Sequence, residues 1–204
     1  GTHIFLRVRS QITTQWDGIG HIHRGHQKLC QNDVVKLGIL EIPTDQITRQ
    51  SNWKRNFKVR DFEEYKNYSK EYNNTIYCYT DGSKIKGSQV GCGYTIKKAS
   101  VSLLEHKEGL GSIATVFQAE VLAILRVCQA LRKRVGQKIT IRSDSQAAIL
   151  ALTSSNMDSS IILECVQSLN KLGSKNKLVL QWIKAHVGHI GNEEADQLAK
   201  YGAE

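Results

Sequence analysis

The sequence predicts an α/β fold: a mixed five-stranded sheet, antiparallel across strands 1, 2 and 3, with parallel crossovers to strands 4 and 5 and helices on its flanks. Three observations predict it. Residues 75 to 107 carry short β-branched and aromatic runs broken by turn residues, the signature of a meander. Residues 117 to 135 carry an apolar stripe at helical spacing. Beyond residue 137, strand-like and helix-like stretches alternate, which calls for crossover connections and parallel pairing.

The elements follow in order. "TIYCYT", residues 75 to 80, reads as a strand that stops at Asp81. Residues 90 to 97 read as the second strand and 101 to 107 as the third. A long helix is expected from about Val116 to Val135, with Phe117, Val121, Ile124, Cys128, Leu131 and Val135 on its buried stripe. Arg132 to Arg134 suit the negative end of that helix, and Gly136 suits its stop. "KITIRSD", 138 to 144, is a strand, and "SQAAILAL", 145 to 152, a short helix. An amphipathic helix spans 159 to 172, and "KLVLQWIKA" forms a strand over 177 to 185. "NEEADQLAKYG", 192 to 202, is a closing helix with Asn192 as its N-cap.

The polar stretch "KNYSKEYNN", 66 to 74, divides the chain. Residues 1–73 are expected to be a partly irregular connecting segment, and residues 74–204 a folded domain. Within the first segment only short helical candidates appear, such as Gln27 to Leu40. "HIHRGHQKLC" holds His21, His23, His26 and Cys30, but this spacing fits no common zinc finger. "RQSNWKRNFKVR", Arg49 to Arg60, interleaves cations with Trp53 and Phe57, which suits phosphate contacts plus stacking. The net charge of +9 favours a polyanionic partner. The apolar runs are too short to cross a membrane, and no secretory signal opens the chain. With five cysteines, four of them inside apolar patterns, buried free thiols fit better than a disulfide framework. An intracellular location, nucleus or cytoplasm, is expected from this. A first residue of Gly reads as a fragment or a processed product.

Four acids stand where a core pattern gains nothing from them. Asp81 closes a strand, Glu120 sits on the buried stripe of the long helix, Asp144 closes a strand, and Asp196 lies between Ala195 and Ala199 in the last helix. Each has an ordinary alternative: a turn residue, a boundary glutamate reaching solvent, an N-cap and a surface acid. Together, two strand-end acids and two helix acids must converge, and converging carboxylates repel unless a cation holds them. Oxygen ligands alone favour hard ions, and several carboxylates can hold two of them for phosphodiester cleavage.

"YTDGS", "FQAEVLAI", "IRSDSQAA" and "WIKAHVGHIGNEEADQLAK" resemble, in order and spacing, the four blocks of type 1 ribonuclease H. The resemblance covers about residues 75 to 203. It implies the ribonuclease H-like fold, hydrolysis of the RNA strand of RNA–DNA hybrids, and two divalent ions, Mg²⁺ or Mn²⁺. It assigns Asp81, Glu120, Asp144 and Asp196 to the metals and makes His186 a mobile-loop residue that assists proton transfer or product release. Glu193 matches an acid seen beside the metals in some members. Gly82, Ser83, Thr115, Ser145, Gln146, Asn192 and Glu193 itself fall at substrate-side positions by the same resemblance. His189 reads as a structural loop residue. Many members carry Asn or Gln just before the helical glutamate; Val116 and Phe117 stand there in this chain.

"ATVFQAE" and "HVGHIGNEEAD" look most like domains of animal non-LTR retrotransposon polyproteins. Residues 24 to 59 resemble, more loosely, the connection that follows reverse transcriptase in such elements. The partners implied are an RNA–DNA hybrid and the reverse transcriptase part of the same polyprotein. Two alternatives stand beside this reading: a decayed copy that binds nucleic acid or polymerase without cutting, and another enzyme of the same fold, such as an integrase.

Overall fold

A computed structural model describes residues 34–37, 40–43, 46–50, 54–60, 71–85, 89–185 and 187–204. The strands are β1 (Val34–Leu37), β2 (Leu40–Pro43), β3 (Gln46–Gln50), β4 (Lys58–Arg60), β5 (Thr75–Lys84), β6 (Val90–Lys98), β7 (Val101–Gly111), β8 (Lys138–Ser143), β9 (Asn156–Ser159) and β10 (Lys177–Trp182). Among the described residues the helices are α1 (Val116–Ala130), α2 (Gln146–Thr153), α3 (Ser160–Gly173) and α4 (Ile190–Ala203).

The main sheet has the order β4-β10-β8-β5-β6-β7. β5, β6 and β7 are antiparallel, while β8 pairs parallel with β5, and β10 parallel with β8. These are the five predicted strands in the predicted directions. A sixth, β4, comes from the segment before the polar divide and pairs parallel with β10, placing Lys58 opposite Val179. Phe57, just before it, is buried in the main core. Asn56 donates its main-chain N–H to Asn170 Oδ1 at 2.8 Å.

Side chains alternate across each strand, so each face takes its own set. Ile76 and Cys78 of β5 join Ile139, Ile141, Leu178 and Leu180 under α1 and α3. Tyr77 and Tyr79 point the other way, toward Ile183 and Ala195 of the α4 side. Cys78, Cys92, Cys128 and Cys165 are buried free thiols, and burial pushes each thiol pKa up, which keeps them unreactive.

Several expectations change. β5 does not stop at Asp81; it runs on to Lys84, with Asp81 paired opposite Gly93. Gly82, Gly91 and Gly93 let the two strands continue under tightly packed helices. α1 ends at Ala130, capped by Leu131, so Val135 is 65% exposed, and Phe117 in the first turn is 36% exposed. The apolar stripe is therefore shorter at both ends than the periodicity suggests. Val34–Leu37, inside the Gln27–Leu40 helical candidate, is a strand hairpinned to β2. β10 ends at Trp182, three residues early. Between α2 and α3, where the sequence shows no element, lies β9, paired antiparallel with β3. α4 starts at Ile190 with His189 as N-cap, so Asn192 lies inside the first turn and its side chain is free to reach sideways.

α4 lies almost on the backbone of β6 and β7. A Cβ at Gly91 would stand 2.3 Å from Ala203 N, and one at Gly93 would stand 2.4 Å from Ala199 N. On the helix, Gly202 meets Glu108 O at 2.7 Å by the same measure. Ala195, Ala199 and Ala203 complete a face of small buried residues. Because the obstructing atoms are main chain, a side chain there must displace the helix. Gly93→Val should therefore destabilise the fold by at least the ~1–3 kcal/mol typical of overpacking, read from urea unfolding. Wild-type stability in that variant would mean that α4 does not seat on β6 as described.

Candidate active site

Asp81, Glu120 and Asp144 come from β5, α1 and the end of β8, and each offers an oxygen within 4.8 Å of the others. The local sequence explains each placement. Thr115 caps α1: its Oγ1 accepts from Gln118 N at 3.1 Å, and Gln118 Oε1 accepts from Thr115 N at 3.0 Å. The capped first turn then presses on Gly82, where a Cβ would lie 2.7 Å from Glu120 N and 3.0 Å from Val116 O. Only a residue without a side chain lets Glu120 come so near Asp81.

Asp144 is held from two directions. Trp182 Nε1 donates to its main-chain oxygen at 3.1 Å, and Asn192 Nδ2 donates to its carboxylate at 2.9 Å. Asp144 does not cap α2. Ser145 does, its Oγ accepting from Ala148 N at 3.3 Å. Asn192 is buried and lies inside the first turn of α4, past the cap position, so its side chain is directed to Asp144.

Burial and mutual repulsion dominate the electrostatics. The Asp81 carboxyl is pushed up to about 7, by burial first and then by the charges of Asp144 and Asp196; Lys200 and the Gly82 N–H oppose this. Glu120 is pushed up to about 9 by burial, then by Asp81 and Asp144. Both carboxyls are thus disfavoured as anions when no cation is present. Glu120 Oε2 and Asn192 Oδ1 are buried with no hydrogen-bond partner among the described residues. A buried oxygen left unpaired is costly, and its presence beside two further carboxylates marks a place for a cation.

Asp196 is near enough for its charge to act on Asp81, but its Oδ2 is paired with Lys200 Nζ at 2.6 Å, one turn on in α4. It stands beside the three-acid cluster and is not part of it. Gly82 and Ser83 continue β5 past Asp81, half-buried. Gln146, in the first turn of α2, and Glu193, in the first turn of α4, are exposed. Thr115 and Ser145 use their hydroxyls as caps, so a ligand would meet them at helix ends. His186 lies outside the described residues, as do His21, His23, His26 and Cys30. His189 accepts main-chain bonds from Asn192 and Glu193, and burial, with nearby Arg142, lowers its pKa.

Sequence reasoning missed Trp182 and Arg142. Arg142 is 1% exposed, 4.5 Å from the Tyr77 ring centroid, and its Nη1 donates to Glu71 Oε1 at 3.0 Å and to Tyr79 OH at 2.7 Å. A charged residue in the middle of "ITIRSD" was the available signal. Trp182 reads as ordinary strand core, and nothing in its local pattern points to Asp144.

The family model described as RNase H matches residues 73–204. A ribonuclease H of Schizosaccharomyces pombe is 32% identical over 146 residues, covering 61% of this chain and 52% of that protein. One from Polynucleobacter asymbioticus is 28% identical over 141 residues, covering 63% of this chain and 90% of that protein. The chain thus spans about half the length of the first relative and most of the second. Among solved structures, RNase H1 from Halobacterium salinarum aligns with a TM-score of 0.50 at 22% identity, covering 63% of this chain and 96% of that one. The N-terminal RNase H domain of a Mycobacterium tuberculosis protein aligns with a TM-score of 0.53 at 19% identity, covering 63% and 93%. At those identities the solved structures speak for the fold, while the family match speaks for descent: the chain belongs to the ribonuclease H family, whose model covers residues 73–204.

Proposed function

We propose that the chain hydrolyses the RNA strand of RNA–DNA hybrids by two-metal-ion catalysis, with Asp81, Glu120, Asp144 and Asp196 holding Mg²⁺ or Mn²⁺. The observation that carries this is the three-carboxylate cluster with Glu120 Oε2 buried and unpartnered. An all-oxygen donor set suits a hard cation. When bound, such ions activate water and stabilise the leaving oxygen of a phosphodiester. The chain's own residues do the rest. Asn192 fixes the Asp144 carboxylate, and Gly82 sets Glu120 against Asp81. Asp196 joins by letting go of Lys200, an exposed i,i+4 contact of little strength. His186 moves a proton near neutral pH. Gly82, Ser83, Thr115, Ser145, Gln146, Asn192 and Glu193 rim the site toward the substrate. No helix among the described residues is long and apolar enough to cross a membrane. The likeness of "ATVFQAE" and "HVGHIGNEEAD" to retrotransposon domains supports work beside a reverse transcriptase, in the nucleus or cytoplasm.

Asp81→Asn should abolish hybrid cleavage and leave the fold intact, since this carboxylate supplies charge to the site and little packing. The check is a labelled hybrid in magnesium alongside a melting curve; a folded variant that cleaves at the wild-type rate sinks the assignment of Asp81, and a folded wild-type chain that cuts no hybrid makes it a decayed copy.

His186→Ala should slow turnover by about 10²- to 10⁴-fold, the usual contribution of a positioned acid–base group. Its magnesium-induced rise in melting temperature should equal that of the wild type. Loss of that rise would make His186 a metal ligand or a structural residue instead.

The metal-free protein should lose stability as pH rises. The folded Asp81 and Glu120 carboxyls sit near 7 and 9, above their ordinary values of 3.8 and 4.5. Between those limits the folded state binds more protons than the unfolded one, so unfolding becomes easier from about pH 4 to 9. Glu120→Gln should flatten the melting temperature against pH in chelator, and magnesium should offset the loss in the wild type. A wild-type profile that rises over this range would show that the cluster is not desolvated.

A further inference from the structure

The opposite end of the sheet has the opposite charge. Residues 54 to 60, 131 to 138 and 171 to 177 carry four, four and three Lys or Arg and no Asp or Glu. The fold gathers these stretches at one end. α1 descends from Glu120 into the loop that begins β8, α3 descends into the loop that begins β10, and β4 runs beside β10. The two loops are tied together: Gly136 N donates to Lys175 O at 2.9 Å, Lys177 N to Gln137 O at 2.9 Å, and Asn176 Nδ2 to Arg134 O at 2.9 Å.

Register then stacks like charges. Lys177 lies opposite Lys138 in the parallel pair of β10 and β8, and Lys58 lies opposite Val179, two residues along the same face. All three lysines are exposed, and none has a carboxylate partner among the described residues. Neighbouring like charges in register weaken a sheet, so the arrangement calls for an anion.

These lysines border a groove of about 800 Å³, with Tyr77 and Gln181 in its floor and Tyr72 on its wall. The Tyr72 main chain is fixed: its N–H donates to Tyr77 OH at 3.0 Å, and its carbonyl accepts from Thr75 N at 3.0 Å. The ring stays 58% exposed. A rigidly mounted open aromatic beside a row of cations is the combination that holds unpaired bases by stacking and their backbone by charge. An acidic protein segment would use the cations and leave the ring idle. From Lys138 to Asp144 along β8 is about 20 Å at the usual rise per residue, so this groove lies well away from the carboxylates.

We propose that this groove is a second nucleic-acid site, which takes a single strand with its phosphates on Lys58, Lys138 and Lys177 and a base on Tyr72. It stands independently of the cleavage reading, because its ligand needs no metal.

The test uses the full chain, a labelled 20-nucleotide oligo-dT, chelator and a salt series, with binding read by fluorescence anisotropy. Lys138→Gln/Lys177→Gln should lower the slope of log K against log salt by about 1.4, which is two phosphate contacts at ~0.7 each. Tyr72→Ala should weaken binding roughly 5- to 100-fold, the span of one lost stacking contact, with the slope unchanged. Asp81→Asn should bind oligo-dT like the wild type, and Lys138→Gln/Lys177→Gln should still cleave a short hybrid in magnesium at the wild-type rate. Unchanged affinity and slope in the lysine pair and in Tyr72→Ala would overturn the proposal. So would polyglutamate displacing oligo-dT charge for charge with Tyr72→Ala having no effect, which would make the groove a surface for an acidic protein. Loss of short-hybrid cleavage in the lysine pair would merge the groove with the carboxylate site and remove it as a second one.

Discussion

Three carboxylates within 4.8 Å of one another, two of them buried, are a source of instability that the rest of the domain has to restrain. Their repulsion acts on three separate elements, and any slack in the packing would let them drift apart. The restraint comes from main-chain contact. At Gly82 the first turn of α1 meets β5, and at Gly91 and Gly93 α4 meets β6. Backbone against backbone is stiffer than contacts between long side chains, because no rotamer can relax it. The acids therefore stay together because the elements carrying them cannot move. Repulsion held in this way is energy that a bound cation can release.

Arg142 performs a related task on the other face. It is almost wholly buried, lies between two tyrosine rings, and pairs with Glu71 and Gln181. It thereby ties β5, β8 and β10 to the turn that precedes β5. A buried guanidinium is tolerable only with its donors satisfied. Asp144 follows it by two residues, so the end of β8 is fixed just before the chain delivers its carboxylate. Helix α2 then begins at once, with Ser145 as the cap, and leaves the Asp144 carboxylate free of capping duty.

The sequence made most of this legible where function and periodicity disagree. Glu120 interrupts an apolar stripe, and Asp81 and Asp144 interrupt or close β-branched runs, so each could be seen without knowing what it touches. Asn192 was harder, because a helix cap and a carboxylate ligand look the same in one dimension; only its distance from Asp144 separates them. The extension of β5 past Asp81 was hidden by "DGS", which has turn chemistry, while the ladder to β6 overrides local preference. Strand β4 was invisible for a different reason. Three residues carry no period, and its partner β10 lies far along the chain. Asp196 was found by resemblance and position, but its ion pair with Lys200 depends on side-chain geometry that spacing permits and does not require.

Strand β4 also bears on how the domain behaves when it is cut. A strand at the margin of a sheet offers a row of unpaired N–H and C=O groups to any passing chain. Here the apolar, largely buried β10 is kept from that position by a three-residue neighbour bearing Lys58 and Arg60. Family likeness begins at residue 73 and leaves this neighbour out. A protein trimmed to that limit would keep every carboxylate of the site and yet present β10 as an open, sticky rim. Its copies would then have a reason to zip together edge to edge, and poor solubility in such a fragment would reflect where it was cut and not how well its carboxylate-bearing half folds.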